Sequence, residues 1–269
     1  MKVTRLILVG MSLVASIQAW PAALPQEKGK WFLAPEWSYY KTDHFWNKDR
    51  QTQPLSAPFI KRELSLYGEY GLTHKTTLTG RVAYDWLSSG PSHSGLAALD
   101  LGAIHNLLRT GPIAFSIYGT AVLPTGNGPK DSGNRPYLNY DRLGIEGGFL
   151  FGSYGKNAFF DSGIGYRIYS GYPSNQIRFY LTSGVNATEK IQFLGSVYGT
   201  LGTESSAVLP SAQSVNITSP AYYQLIQMSG GVRFHIQRGL SIVPQVTLPV
   251  WGVETGKGYT ASVSLWTTM

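Results

Sequence analysis

Side-chain polarity in this chain alternates with a period of two residues over twelve separate segments. In the clearest segment, Leu78, Val82 and Trp86 share one face, whereas Arg81 and Asp85 share the other. Successive side chains of a β-strand point to opposite faces, so each segment predicts a strand with one apolar and one polar side. A closed barrel with lipid outside and water inside satisfies both sides of such strands. The twelve segments are Trp31–Lys41, Phe59–Tyr70, Thr77–Trp86, Leu96–Leu108, Ile113–Leu123, Arg142–Phe151, Phe160–Ile168, Ile177–Val185, Ile191–Leu201, Tyr222–Phe234, Leu240–Val250 and Tyr259–Leu265.

The composition narrows the alternatives. Charged residues make up 14% of the chain, against roughly 25% in an average soluble domain. No window holds about 18 consecutive apolar residues, which argues against transmembrane helices. The absence of cysteine excludes disulfide scaffolds, zinc ribbons and thiol catalysis. The remaining classes are an outer-membrane barrel and a periplasmic β protein.

The links between the segments alternate in length. Five links are short: Gly71–Lys75, Thr110–Pro112, Ser153–Asn157, Asn186–Lys190 and Gln237–Gly239. Three of the others are long and polar: Asp43–Ser56, Pro124–Leu138 and Gly202–Pro220. Outer-membrane barrels have short periplasmic turns and long external loops. The sequence therefore predicts an all-β fold, a transmembrane antiparallel β-barrel of twelve strands with both termini in the periplasm. In the eleventh strand, Pro244 and Pro249 predict a bend or bulge, because each removes a backbone donor.

Residues 1–19 have the pattern of a secretory signal peptide. Lys2 and Arg5 precede an apolar run from Leu6 to Ala15, and small residues follow. Cleavage at the end of this segment would leave residues 20–269 as one barrel domain with a formal charge of 20 − 15 = +5. Its Lys and Arg residues do not cluster, so nucleic acid is not an expected partner. Export and strand pattern together predict the outer membrane of a Gram-negative bacterium, with membrane lipid, lipopolysaccharide and the barrel-assembly machinery as partners.

The polar faces predict which side chains enter the lumen. Eleven charged residues face inward by this parity, namely Glu69 and the ten that are predicted to line the pore: Glu63, Arg81, Asp85, Asp100, Arg142, Glu146, Asp161, Arg167, Arg178 and Arg233. The two signs nearly cancel, whereas a strongly ion-selective pore carries an excess of one sign. Two interpretations stay open: ion-pair networks that stiffen the wall, or the lining of a narrow path or ligand site. Six inward tyrosines favour a permeant with aromatic or apolar character: Tyr67, Tyr118, Tyr169, Tyr180, Tyr198 and Tyr223.

Catalysis is the less favoured alternative. A lipid hydrolase needs a serine activated by a neighbouring base. His93 and Ser94 are adjacent, but the surrounding Ser, Gly and Pro residues are typical of a turn. The stretch from Asp131 to Arg135 resembles the serine loop of outer-membrane phospholipase A, yet Lys130 stands where that family has its histidine. The chain is therefore predicted not to be an enzyme, and no metal or cofactor is expected.

Short motifs in a fixed order resemble a known family. They are Trp20–Pro21, Gln26–Gly29, Ser38–Tyr40, Glu69–Thr73, Leu123–Gly126, Gly165–Arg167, Pro173–Gln176 and Leu265–Trp266. Together they resemble the proteobacterial outer-membrane barrels labelled as transporters of the meta-pathway of phenol degradation. The resemblance implies an integral outer-membrane protein that takes part in the uptake of small, often aromatic or hydrophobic, compounds.

The leading hypothesis is a transporter-like porin, a narrow channel for small solutes. Two others remain: an outer-membrane lipid hydrolase with a rim site at His93 with Ser94 or Ser132, and a closed structural barrel. The closed barrel would bind partners through the long loops Asp43–Ser56 and Gly202–Pro220.

Overall fold

A computed structural model describes residues 22–129, 135–204 and 221–269 of the chain. The predicted signal peptide and Ser132 lie outside these residues, as does most of the predicted loop from Gly202 to Pro220. The strands are β1 (Trp31–Trp46), β2 (Thr52–Gly71), β3 (Thr76–Ser88), β4 (Ser92–Thr110), β5 (Ile113–Val122), β6 (Gly144–Tyr154), β7 (Ala158–Tyr169), β8 (Gln176–Asn186), β9 (Ile191–Gly202), β10 (Gln224–Gln237), β11 (Leu240–Val253), the two-residue β12 (Thr255–Gly256) and β13 (Tyr259–Thr268).

Each long strand pairs antiparallel with its neighbours, and the sheet closes on itself. Residue pairs such as Trp37 with Val263 join β1 to β13, while Trp37 with Leu64 joins β1 to β2. Because β12 is only a short extension beside the far end of β1, the wall consists of twelve long strands. The predicted twelve-stranded antiparallel barrel is confirmed. Across the described parts of the chain, no helix is both long and apolar enough to cross a membrane.

The outer face of the barrel is apolar, as the alternation predicts. Ile145, Phe149 and Ile164 are more than half exposed on it. Leu78 and Trp86 are also exposed there, while Asp85 of the same strand is buried inside. Exposed apolar side chains on every long strand favour a lipid environment around the wall.

The five short links are confirmed, but one predicted long loop is wrong. Strand β1 continues to Trp46 and β2 begins at Thr52, so most of the segment from Asp43 to Ser56 is strand. A tight turn joins them, in which the amide of Asn47 donates to the carbonyl oxygen of Gln51 at 3.1 Å. The alternation fails there because most side chains of this end are exposed on both faces, with Trp46 as the buried exception. In β11 the register shifts where Pro249 pairs, which confirms the predicted bulge at that proline, whereas Pro244 pairs with Val263 without a register shift.

Small residues in the wall make room for an inward aromatic ring. Gly148 and Gly165 are register partners on β6 and β7, and the ring of Tyr118 lies against both. A Cβ atom at Gly148 would lie 2.7 Å from Cε1 of Tyr118 and well inside contact distance of the Ile164 carbonyl oxygen. Without side chains there, the Tyr118 hydroxyl reaches Glu146 and donates to it at 2.6 Å.

We expect Gly148→Ala to lower the free energy of unfolding by about 1–3 kcal/mol, because overpacking forces the wall or Tyr118 to move. Gly147→Ala is the matched control, since a Cβ atom at Gly147 meets no atom nearer than 3.8 Å. Urea unfolding of the refolded protein in detergent, followed by tryptophan fluorescence, measures both variants. Equal midpoints for the two would contradict the packing role of Gly148.

Candidate functional site

A chamber of ≈ 320 Å³ lies inside the half of the barrel that carries the long loops. Its wall comes from strands on most sides of the barrel, and the link between β5 and β6 contributes the rest. The charged residues that line it are Glu36, Lys61, Glu63, Arg81, Asp85, Asp100, Asp141, Arg142, Glu146, Arg167 and Arg178. Six are acidic and five are basic, so the chamber has nearly balanced charge.

One side of the chamber holds a four-residue ion-pair network on β2 and β3. Lys61 Nζ lies 2.8 Å from Glu63 Oε2 and 3.0 Å from Asp85 Oδ2. Arg81 Nη2 donates to Glu63 Oε1 at 2.6 Å. Glu63 and Asp85 are directly paired in the β2–β3 register, so their like charges are held together by the two cations. Removing either cation would leave the buried carboxylate pair with a single cation to compensate it.

A second network lies on β5 to β8 around one carboxylate. Glu146 is 3% exposed and accepts hydrogen bonds from Arg167 Nε and Arg178 Nη1, each at 2.7 Å. The Tyr118 hydroxyl donates to its other oxygen. Arg167 also donates to the Tyr169 hydroxyl at 3.2 Å. Two guanidinium groups against one carboxylate leave this side with an excess of positive charge.

Two lining groups keep unused hydrogen-bonding capacity. Nε of Arg142 and Oδ1 of Asp85 are buried and have no partner among the described residues. The Arg142 guanidinium lies 4.3 Å from the centre of the Tyr172 ring, a cation–π contact that orients it. Outside the strands, desolvation raises the pKa of Tyr223, which also lines the chamber. The chamber therefore offers a solute both donors and acceptors.

Eight of the ten predicted pore-lining charges line this chamber: Glu63, Arg81, Asp85, Asp100, Arg142, Glu146, Arg167 and Arg178. The other two, Asp161 and Arg233, are buried nearer the short turns. Asp161 accepts from the Tyr180 hydroxyl at 2.6 Å and contacts Tyr154. The alternation with a period of two places a residue on the inner face of the barrel. It does not predict where along the barrel axis the chamber lies.

Three lining charges were missing from the sequence prediction: Glu36, Lys61 and Asp141, which lies in the link between β5 and β6. Lys61 shares its face with Glu63, and its strand parity alone could have identified it. Glu36 lies on β1, where Pro35 interrupts the pattern, and it is 9% exposed in the lumen. Of the predicted inward tyrosines, Tyr67, Tyr118, Tyr169 and Tyr223 line the chamber.

The link between β5 and β6 folds inward over the chamber. Tyr137 and Leu138 are buried, and Leu138 packs against Tyr40, Phe59 and Leu87. Side chains of this link also fasten it to β4. Thr125 donates to the Leu96 carbonyl oxygen at 2.9 Å, as does Asn139 at 3.3 Å. The link thus narrows the long-loop end of the lumen.

Residues 22–28 enter the lumen from the opposite end. Gly29 has φ +79°, which is readily adopted by glycine, and the turn there reverses the chain from β1 back into the barrel. The amide of Gly29 donates to the Gly71 carbonyl oxygen at 2.7 Å. The sequence analysis did not predict that residues 22–28 enter the lumen. The one feature that could have indicated it is the run of small residues before a polar turn.

Five hydrogen bonds hold this N-terminal segment in place. The Ala23 amide donates to Asp161 at 3.2 Å, and its carbonyl oxygen accepts from Ser116 at 2.6 Å. The Gln26 amide donates to Thr77 at 2.9 Å, and its side chain donates to Glu69 at 2.6 Å. The fifth bond runs from the Leu24 amide to the Tyr154 hydroxyl. Apolar clusters around Ala22 and Ala23 fill the space beside the segment.

The geometry at His93 and Ser94 does not form a catalytic pair. They are consecutive residues of β4, so their side chains point to opposite faces of the wall. His93 Nδ1 instead lies 2.9 Å from the Pro136 carbonyl oxygen. Among residues 22–129, 135–204 and 221–269, no three His, Asp or Glu side chains are placed to ligate one metal ion.

Solved outer-membrane barrels have the same fold. The COG4313 outer membrane channel from Pseudomonas putida F1 matches with a TM-score of 0.72 and 12% identity, over 96% of this chain and 100% of that one. The NanC porin matches with a TM-score of 0.57 and 6% identity, over 87% and 98%. The KdgM porin matches with a TM-score of 0.50 and 5% identity, over 87% and 98%. No protein-family model and no curated protein matches the sequence.

Proposed function

We propose that this protein is a channel of the Gram-negative outer membrane that admits small solutes through the chamber in its barrel. The observation that carries the proposal is the chamber itself, a polar space between two constrictions. Its volume of ≈ 320 Å³ is at the lower end of the roughly 300–1,000 Å³ found for small-molecule sites. The shared fold with a channel and two porins supports the same function.

The lining favours a solute with both a polar group and an aromatic or apolar part. Charges of both signs can exchange for the hydration shell of a polar group, while tyrosine rings contact a flat or apolar part. This solute class agrees with the uptake of aromatic compounds implied by the resemblance to the meta-pathway transporters. The barrel would sit among membrane lipid and lipopolysaccharide after insertion by the assembly machinery.

Single-channel recording tests the proposal. The purified protein, refolded and inserted into a planar bilayer, is expected to open in discrete steps at two salt concentrations. A heat-modifiable band on electrophoresis shows that the inserted protein is folded. If folded protein never opened, the channel would be wrong and the closed structural barrel would take its place.

We expect Arg142→Ala combined with Arg167→Ala to lower the anion-to-cation permeability ratio severalfold, because two of the five basic groups of the chamber are removed. Arg62→Ala is the matched control, since Arg62 is exposed on the outer face beside Lys61. Reversal potentials under unequal salt measure the ratio. If the double variant and wild type gave the same ratio, these arginines would not line the path.

A further inference from the structure

Strands β9, β10, β11 and β13 are neighbours and form one sector of the wall. None of these four strands contains Asp or Glu, and Arg233 is the one Lys or Arg residue among them. Most of their buried side chains are uncharged and polar: Gln192, Ser196, Thr200, Ser229, Ser241, Gln245, Thr247, Ser262 and Ser264. The rest of the wall holds the ion-pair networks, so this sector differs from it chemically.

Buried polar atoms in this sector lack protein partners. Within the described part of the chain, Gln192 Oε1, Arg233 Nη1 and Thr247 Oγ1 have none. Gln192, Arg233 and Thr247 are each at least nine-tenths buried. Buried polar groups are nearly always satisfied by protein or by ordered water. These three atoms therefore point to water along the sector.

The three atoms follow a line from the chamber toward the short turns. Thr247 lines the chamber. Gln192 and Arg233 are direct partners in the β9–β10 register, close to the short-turn end. Ser229, buried on the same face of β10, is the register partner of Thr247 and lies on the same strand as Arg233.

The N-terminal segment is fastened to the other side of the lumen. The five hydrogen bonds of residues 22–28 end on β2, β3, β5, β6 and β7. On the side of the sector formed by β9, β10, β11 and β13, Ala22 shares an apolar cluster with Leu194, Val243 and Trp266. These apolar contacts lack the directional hydrogen bonds that the segment makes with β2, β3, β5, β6 and β7. The segment is therefore held less firmly against the β9–β13 sector.

Resting on the proposed channel function, we propose that solute passes the N-terminal segment along the β9–β13 sector and that Arg233 makes this passage anion-selective. Arg233 Nε donates to Ser241 Oγ at 3.0 Å, and its guanidinium lies 5.0 Å from the Trp266 ring centre. It forms no ion pair with a described carboxylate. A passing carboxylate or chloride would exchange water for this uncompensated cation.

Charge substitution at Arg233 tests the proposal. In planar bilayers with unequal KCl, wild type and Arg233→Lys are expected to favour chloride, whereas Arg233→Glu inverts the permeability ratio. Arg238→Glu makes the same charge change in the exposed turn after β10 and is expected to leave the ratio unchanged. If the channels open but the permeability ratio does not change with the charge at position 233, the proposed passage is wrong and the channel function still stands. A folded wild type that never opens would contradict the channel and the passage together.

Cysteine accessibility gives a second test that does not alter Arg233. The chain has no cysteine, so an introduced thiol is unique. Ser229→Cys places one on the polar sector, and Ser116→Cys places one where Ser116 donates to the Ala23 carbonyl oxygen. An anionic methanethiosulfonate added to open channels is expected to reduce the current of Ser229→Cys and to spare Ser116→Cys. The reverse pattern would place the passage on the opposite wall and overturn the proposal.

Discussion

Deleting residues 22–28 is expected to raise the single-channel conductance severalfold. The segment lies within the lumen near the short turns, where Ala23 and Gln26 are almost fully buried against the wall. A barrel of twelve strands encloses more space than its own inward side chains fill, so removal of an inserted segment opens a wider path. The deletion leaves residues 1–21 in place and so keeps the predicted export signal.

A milder variant separates obstruction from barrel distortion. Glu69→Ala with Asp161→Ala removes the two carboxylates that accept hydrogen bonds from Gln26 and Ala23. We expect flickering currents with a mean between those of wild type and deletion, since the segment is still present but held less firmly. A folded deletion variant with wild-type conductance would show that the segment does not obstruct the path.

Glu146→Gln is expected to weaken the barrel more than any surface substitution. The carboxylate is buried and is shared by Arg167 and Arg178. Breaking a buried ion pair by removing one partner costs about 3–5 kcal/mol, because the remaining charge is left without compensation. The same change adds net positive charge to the chamber, so the anion-to-cation permeability ratio should rise.

Two measurements check this result. Urea unfolding in detergent gives the stability, and reversal potentials give the permeability ratio. Glu189→Gln is the matched control, because Glu189 lies exposed in the turn between β8 and β9. A stable Glu146→Gln variant with an unchanged ratio would mean that the network neither supports the wall nor faces the path.

The inward charges show what the alternation of side chains with a period of two can and cannot predict. It assigns a strand residue to one face of the wall, because a strand leaves each side chain only two directions. It could not say that Lys61, rather than Arg142, joins the network with Asp85, since pairing depends on which strands are neighbours and at what register. It also could not separate Asp161 and Arg233 from the chamber, because the height of the open space depends on what fills the rest of the lumen.

The sequence by itself determined the barrel, its twelve strands, the short turns and, within the predicted segments, the side of the wall on which most strand residues lie. These features follow from local alternation, which lipid on one side and water on the other impose on every membrane strand. Only the tertiary structure decided that residues 22–28 and the β5–β6 link enter the lumen and bound a chamber between them. Those contacts join residues far apart in the chain, such as Ala23 with Asp161, and no local pattern encodes a contact that forms only after the barrel has closed.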